Sequence, residues 1–269
     1  MPVLQVYLDT DQDLRSDYRL TRESMNTLMR EELEDIGKSF GRLARHKAFE
    51  KAVGAVDGCH IRIKPPNHNK EDYFNYKQFY SIHMQAICDF SGQFLNIFIG
   101  FPGSVHDTRV LKNSPVYVHA QYPPAGYFLL GDGGYPCIQW PIAIITPYKL
   151  PLQNRVEERF NNCHGRARGV IERAFGMMKA RWRTTMFKAL EVKVGFCTDV
   201  VTACAFLHNI CLSNGDVLEP DVENDDPPPP MPPGDAGQEA SGNMLRARLS
   251  AQVSAPLVLQ PHLAEHDYI

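Results

Sequence analysis

VGAVDGCHIRI, residues 53–63, is a β-branched, alternating run with an acid, Asp57, in its middle, and Pro65 and Pro66 stop it. It reads as a strand with Asp57 in it or at its end. Downstream, FYSIHMQAIC (79–88) and FLNIFIGF (94–101) flank the turn-forming DFSGQ and read as a β-hairpin. PGSVHDTRVLKNSPVY (102–117) carries a helix signal, with Ser104 and Asp107 at capping-box spacing. YFLLGD (127–132) is a short buried strand ending at Gly133 and Gly134. After IAIITPY a long helix is expected from about 157 to 183, and VVTACAFLHNICL forms a last apolar helix that closes the core. Strand, hairpin, helix, strand and then a helix bearing an acid is the order of an α/β fold, a mixed sheet flanked by helices.

Working outward, residues 1–49 are charged and helical, with Thr21 and Glu23 near a helix start and no long apolar stripe. They read as a short helical appendage, a surface for partner docking. Residues 50–213 form the main domain. From 214 to 269 the chain turns acidic and rich in Pro and Gly, and this tail is expected to be disordered. Within it only MLRARLSAQVSAPLVL has helix-forming character. No internal repeat is present.

The 269 residues suit one domain with appendages, and 43% hydrophobic residues suffice for a sizeable core. No run is read as approaching the roughly 18 apolar residues of a membrane span, and the amino terminus lacks the regions of a secretory signal. Seven scattered cysteines with no CxxC pair point to free thiols in a reducing compartment rather than to disulfides or zinc.

A net charge of -3 conceals an asymmetry. Residues 149–193 hold eleven Lys or Arg against four Glu, whereas residues 214–269 hold ten Asp or Glu against Arg246 and Arg248. The first segment is a polyanion-facing patch. Three carboxylates lie on stretches of different character: Asp57 in AVDGCHIRI, Asp132 in FLLGDGGYP and Glu172 in GVIERAFGMMKARWR. Carboxylates brought together from separate elements can hold two Mg²⁺-type ions, which activate water and stabilise a leaving oxygen at a phosphodiester. On residue types alone, Asp57 and Asp132 also suit turns, and Glu172 suits an exposed, charge-laced helix. On a helix, Glu172 shares a face with Arg168, Lys179 and Arg183, cations suited to substrate phosphates. Phe160, Ala167, Ile171, Ala174, Met178 and Trp182 form the opposite stripe, which should pack on the sheet. Asp107 either completes the capping box or adds a fourth acid near the metal. Tyr73, Tyr76, Lys77, Phe79 and Tyr80 either stack on unpaired bases or pack along a sheet edge.

Seven blocks in order across about 160 residues carry a resemblance: VDGCHIRIKPP, NYKQFYSIHMQAICD, GFPGSVHDTRVL, LLGDGGYP, TPYKLP, RFNNCHGRARGVIERAFGMMKARW and ACAFLHNI. This region resembles the nuclease domain of the PIF/Harbinger transposases. The resemblance implies a ribonuclease-H-like fold and matches Asp57, Asp132 and Glu172, 75 and 40 residues apart, to the family's DDE triad. It further implies metal at Asp57, Asp107, Asp132 and Glu172, with Mg²⁺ or Mn²⁺ as cofactor. Arg168, Lys179, Arg183 and Lys77 are then the DNA-binding residues. The implied activity is metal-dependent DNA cleavage; the alternative is a domesticated, catalytically silent DNA-binding or scaffold protein on the same fold. About 50 residues precede Asp57, fewer than in related transposases, so a separate Myb-like DNA-binding partner is the expected source of sequence recognition. A homo-oligomer is compatible with this reading. The expected location is the nucleus, with the cytoplasm as a second compartment.

Overall fold

The computed structural model describes residues 22–120, 122–220 and 239–255. A five-stranded sheet forms the centre: β1 (Ala52–Arg62), β2 (Ser81–Cys88), β3 (Phe94–Pro102), β4 (Phe128–Leu130) and β5 (Ile144–Ile145), in spatial order β3-β2-β1-β4-β5. β1, β2 and β3 pair antiparallel as the expected hairpin and its neighbour. β4 and β5 add parallel to β1. This is the expected mixed, ribonuclease-H-like sheet. β2 is buried along its whole length because helices cover both faces, so its side chains cannot alternate between core and water.

Helix α1 (Arg22–Ala44) precedes the sheet. Expected as an appendage, it is built into the core: Leu33, Ile36, Phe40 and Ala44 recur once per turn and are buried against β1 and the long helix described below. Arg45 ends α1 in the left-handed conformation, φ 58°, while the His46 amide reaches back to the Gly41 carbonyl at 3.0 Å. Expectations for residues 1–21 lie outside the described residues.

Helix α2 (Asp107–Asn113) starts later than the capping box required, and Ser104 is not its cap. His106 takes that role, its Nδ1 accepting from the Thr108 amide at 3.3 Å. A short helix, α3 (Pro115–Val118), follows directly. Helix α4 (Arg155–Arg181) begins two residues before the expected start, because the Asn154 side chain caps the amides of Val156 and Glu157 at 2.9 and 3.0 Å. Its expected apolar stripe is buried on the sheet from Phe160 to Met178, and Trp182 is half-buried just past its end. Arg183 therefore opens a separate short helix, α5 (Arg183–Met186), instead of continuing the Glu172 face of α4.

Helix α6 (Val194–Ser213) is long and apolar enough by length and composition to cross a membrane, which the expectation of no such run missed. Here it lies along β3, buried at Cys197, Val201, Cys204 and Ala205. Two polar clasps hold it: His208 Nε2 pairs with the Gly92 carbonyl at 3.1 Å, and the Asn209 carboxamide bonds both the amide and the carbonyl of Phe94 at 2.8 Å. His208 is thus a hydrogen-bonded core histidine.

The helix allowed within the tail forms as α7 (Glu239–Ser254) and packs on α4 and β5. Leu249 and Ser250 are buried, Arg246 donates to the Pro147 carbonyl at 3.0 Å and lies over the Tyr148 ring, and Gly242 sits against the Cys137 backbone so closely that a Cβ would collide. The disorder expected for residues 221–238 and 256–269 concerns segments outside the described residues. All seven cysteines are free thiols, six of them buried.

Candidate metal and nucleic-acid site

β1 and β4 run parallel with Ala55 opposite Leu130, so two residues further along both segments Asp57 and Asp132 come side by side at the centre of the sheet. Asp57 Oδ1 accepts from the Gly58 amide at 2.7 Å, and Asp132 Oδ1 accepts from the Gly134 amide at 2.9 Å. Asp132 thus sits in an Asp-Gly turn and beside Asp57 at once.

Asp107, first residue of α2, joins them. Thr108 Oγ1 donates to the Gly134 carbonyl at 2.8 Å and locks the start of α2 to the Asp132 loop. A Cβ at Gly58 would overlap the Asp107 carboxylate, and one at Gly134 would stand 3.0 Å from Asp107 Oδ2 and 3.2 Å from Asp132 Oδ1. Glycine at both positions is what lets the three acids approach.

His83, buried on β2, completes the group. Its Nδ1 lies 3.0 Å from the Val105 carbonyl, an acceptor only, so Nδ1 carries the hydrogen. Its Nε2 stands 2.9 Å from Asp107 Oδ1.

The electrostatics follow. Burial, with Asp132 and Asp107 beside it, pushes Asp57 well above the usual carboxylate range. Burial, then the neighbouring Asp107, also raises Asp132. Burial acts upward on Asp107 too, but the hydrogen bond and charge of His83 outweigh it and hold this acid below its ordinary value. The Tyr135 hydroxyl is buried beside these acids without a hydrogen-bond partner among the described residues, and burial raises its pKa well above that of a free phenol.

Glu172 lies on the exposed face of α4 and is joined to the others through Arg168. The Arg168 guanidinium donates to Glu172 Oε1 at 2.5 Å and to Asp57 Oδ2 at 3.2 Å. Expected to face substrate phosphates, Arg168 is turned inward as the counterion of the acids. Lys179 and Lys77 lie near His60, where they help to lower its pKa, after burial and His83, to about 3. Arg183 lies over the Phe187 ring, 5.3 Å away.

Among the described residues, no three acidic, His or Cys side chains are close enough together to grip an ion as they stand. The donor types do fit a hard divalent cation: carboxylate oxygens in excess of positive charge, two of them held above their ordinary pKa by burial and then by the neighbouring acids, beside an orphaned hydroxyl. Asp57, Asp107, Asp132 and Glu172 are the residues that would hold it.

Two features escaped sequence reading. His83 is hidden in a continuous buried strand. A basic cleft of about 440 Å³ lies at the end of α1, lined by Lys38, Arg42, Arg45, His46 and Lys47 together with Glu50. The dense run GRLARHK was its signal.

The domain that carries this group matches, over residues 56–209 and more than half of the chain, the family described as DDE superfamily endonuclease. The chain belongs to that family. Asp57, Asp107, Asp132 and Glu172 all fall within the matched span of this DDE-family chain, whereas α1 and α7 lie outside it. It is 31% identical over 166 residues to the Mus musculus protein named "Putative nuclease HARBI1", covering 61% of this chain and 46% of that one. The Homo sapiens protein of the same name is 30% identical over 168 residues, with the same two coverages. The Arabidopsis thaliana "Protein ALP1-like" is 25% identical over 200 residues, 68% of this chain and 48% of its own length. The chain spans about half the length of these curated relatives. No solved structure matches it.

Proposed function

We propose that this chain is a divalent-metal-dependent DNA endonuclease of transposase origin. The observation that carries the reading is the meeting of Asp57, Asp107 and Asp132 at the centre of the sheet of a DDE-family domain, with Glu172 tied in through Arg168. Hydrolysis adds one water across a P–O3′ bond of DNA and leaves a 3′-hydroxyl and a 5′-phosphate. A divalent ion such as Mg²⁺ or Mn²⁺ supplies a water of lowered pKa and charge stabilisation for the leaving oxygen. The chain's own residues do the rest. Asp57, Asp132 and Glu172 would hold the cation, His83 orients Asp107, and Lys77 and Lys179 lie where they can meet phosphate oxygens. The basic cleft at Arg42 and Arg45 extends the phosphate contacts away from the acids. A Myb-like partner would bring sequence recognition, the nucleus would be the place of action, and a second copy would pair the two cuts at a DNA element.

The test is cleavage of duplex DNA in Mn²⁺ by the wild type and by Asp57→Asn, Asp132→Asn and Glu172→Gln. A metal-dependent cut that each substitution reduces at least about a hundredfold supports the reading. A cut that survives all three substitutions sinks it. A second reading, a DNA-binding scaffold without turnover, has the inward Arg168 in its favour, since that guanidinium already pairs with two of the acids. The scaffold predicts tight DNA binding, no cut, and no Mn²⁺ binding in calorimetric titration.

A further inference from the structure

Between the short 3₁₀ turn Lys70–Tyr73 and β2, the chain makes a tight loop that holds two large rings toward solvent: Phe74 is 45% and Tyr76 44% exposed. The loop is rigidly built. The amide of buried Asn75 donates to the Phe79 carbonyl at 3.0 Å, its Oδ1 accepts from the Phe79 amide at 3.2 Å, and its Nδ2 donates to Ser81 Oγ at 2.8 Å. Gln78 turns the chain in the left-handed conformation, φ 63°. Ser81 Oγ is in turn 3.1 Å from His60 Nδ1, so loop and strand are fastened together.

From Tyr76 a path of rings leads inward. The Tyr76 ring lies 5.5 Å from the His60 ring, which lies 6.3 Å from Phe79 and 4.8 Å from His83. His83 touches Asp107 at 2.9 Å. Cations flank the path: the Arg62 guanidinium over Phe79 at 3.7 Å, Lys77 at 5.8 Å from the Tyr76 ring, and Lys179 near His60. Exposed, rigid rings beside cations and continuous with the acid group suit one kind of occupant. Bases within a duplex offer no open π-face, whereas an unpaired base offers one together with its own phosphate. Half-buried Phe79 stands edge-on to His60, and half-buried Tyr80 edge-on to Phe74.

We propose that Tyr76, supported by His60 and Phe79, stacks on an unpaired nucleobase of the DNA strand that enters the acid group. The proposal rests on the nuclease reading above for the direction of the strand. With the platform, the substrate is a locally opened strand: a frayed end, a flap or a flipped nucleotide next to the scissile phosphate.

The experiment measures binding of a fluorescent single-stranded oligothymidylate, and of a duplex of equal length, to wild type, Tyr76→Ala and Tyr76→Phe without divalent metal. Stacking on a single base predicts that Tyr76→Ala weakens single-strand binding about tenfold or more. Duplex binding stays within about twofold, and Tyr76→Phe retains single-strand affinity. Equal losses on both DNAs, no loss on either, or a wild type that does not bind the single strand overturns the platform. Mn²⁺-dependent cleavage scored on the same proteins separates the two ideas. Cleavage without Tyr76 dependence in binding ends the platform alone, and Tyr76-dependent binding without cleavage ends the nuclease reading alone.

Discussion

Arg168 of α4 reaches Asp57 of β1 at 3.2 Å across 111 positions of sequence. The same guanidinium closes on Glu172, so the cation of the group is supplied by the chain itself. A permanently charged guanidinium that bridges two carboxylates is a strong rival to a metal ion for their oxygens. Arg168→Gln should therefore bind Mn²⁺ about tenfold more tightly in calorimetric titration. In metal-free buffer the same variant should lose on the order of 2 kcal/mol of stability, because the acids are left without their counterion. Weaker Mn²⁺ binding by the variant would show that Arg168 supports the ion instead of competing with it.

Asp132 is raised above its ordinary carboxylate range by burial and by Asp107. A group whose folded pKa exceeds its unfolded value holds its proton longer in the native state, so native stability falls as pH rises from the unfolded value of 3.8 through the folded one. Asp132→Asn should accordingly melt higher than wild type at pH 7 in the absence of metal. An increment of a few degrees is expected, since about 1 kcal/mol moves a domain of this size by about 2–4 °C. The difference should vanish below about pH 3.8, where both states of the wild type are protonated. A scanning-calorimetry series across pH checks both the sign and the window.

Removing residues 1–45 takes away Leu33, Ile36, Phe40 and Ala44, all buried in the core. With about 1.5–3 kcal/mol lost for each large side chain, the remainder should fail to fold. Loss of near-ultraviolet circular dichroism and of a cooperative melt is the expected result. A truncated chain that melts cooperatively would return α1 to the status of an appendage. A partner-docking surface on α1 is better tested at its exposed residues, such as Glu31 and Glu34.

Gly242→Leu places a side chain against the backbone of Cys137 and Ile138, where there is no room for even a Cβ. Helix α7 should detach, exposing Tyr148 and Leu249, and become the first site cut in limited proteolysis. Protection equal to that of the wild type would mean that α7 tolerates a shifted seat.

The strands and α4 were legible because their periods are strong: the alternation around Asp57, the apolar hairpin, and the stripe from Phe160 to Met178. Asp57 and Asp132 were legible as acids out of place in apolar runs. What the sequence withheld depends on contacts between distant segments. Arg168 and Glu172 announce each other at four residues' separation, but only the folded chain turns Arg168 toward Asp57. His83 is masked because β2 is buried on both faces and has no alternation to violate. Ser104 has capping spacing, yet the chain turns at Val105 and leaves the cap to His106. The helix-forming run within the acidic tail was legible, but the seat of α7 on α4 and β5, where Gly242 meets the Cys137 backbone, was not.

The Asn209 carboxamide occupies both hydrogen-bonding groups of Phe94. Phe94 is the first residue of β3, an outermost strand, and at the far side of the sheet Ile138 bonds Ile144 while α7 covers the loop behind it. One margin of the sheet is thus sealed and the other is stoppered at its start and twisted by two register shifts. Among the described residues, a strand added from outside, whether from a second copy or from another protein, has a single margin to use and must begin beyond Phe94. Assembly by sheet extension is therefore one-sided, capable of making a closed pair but not a growing filament.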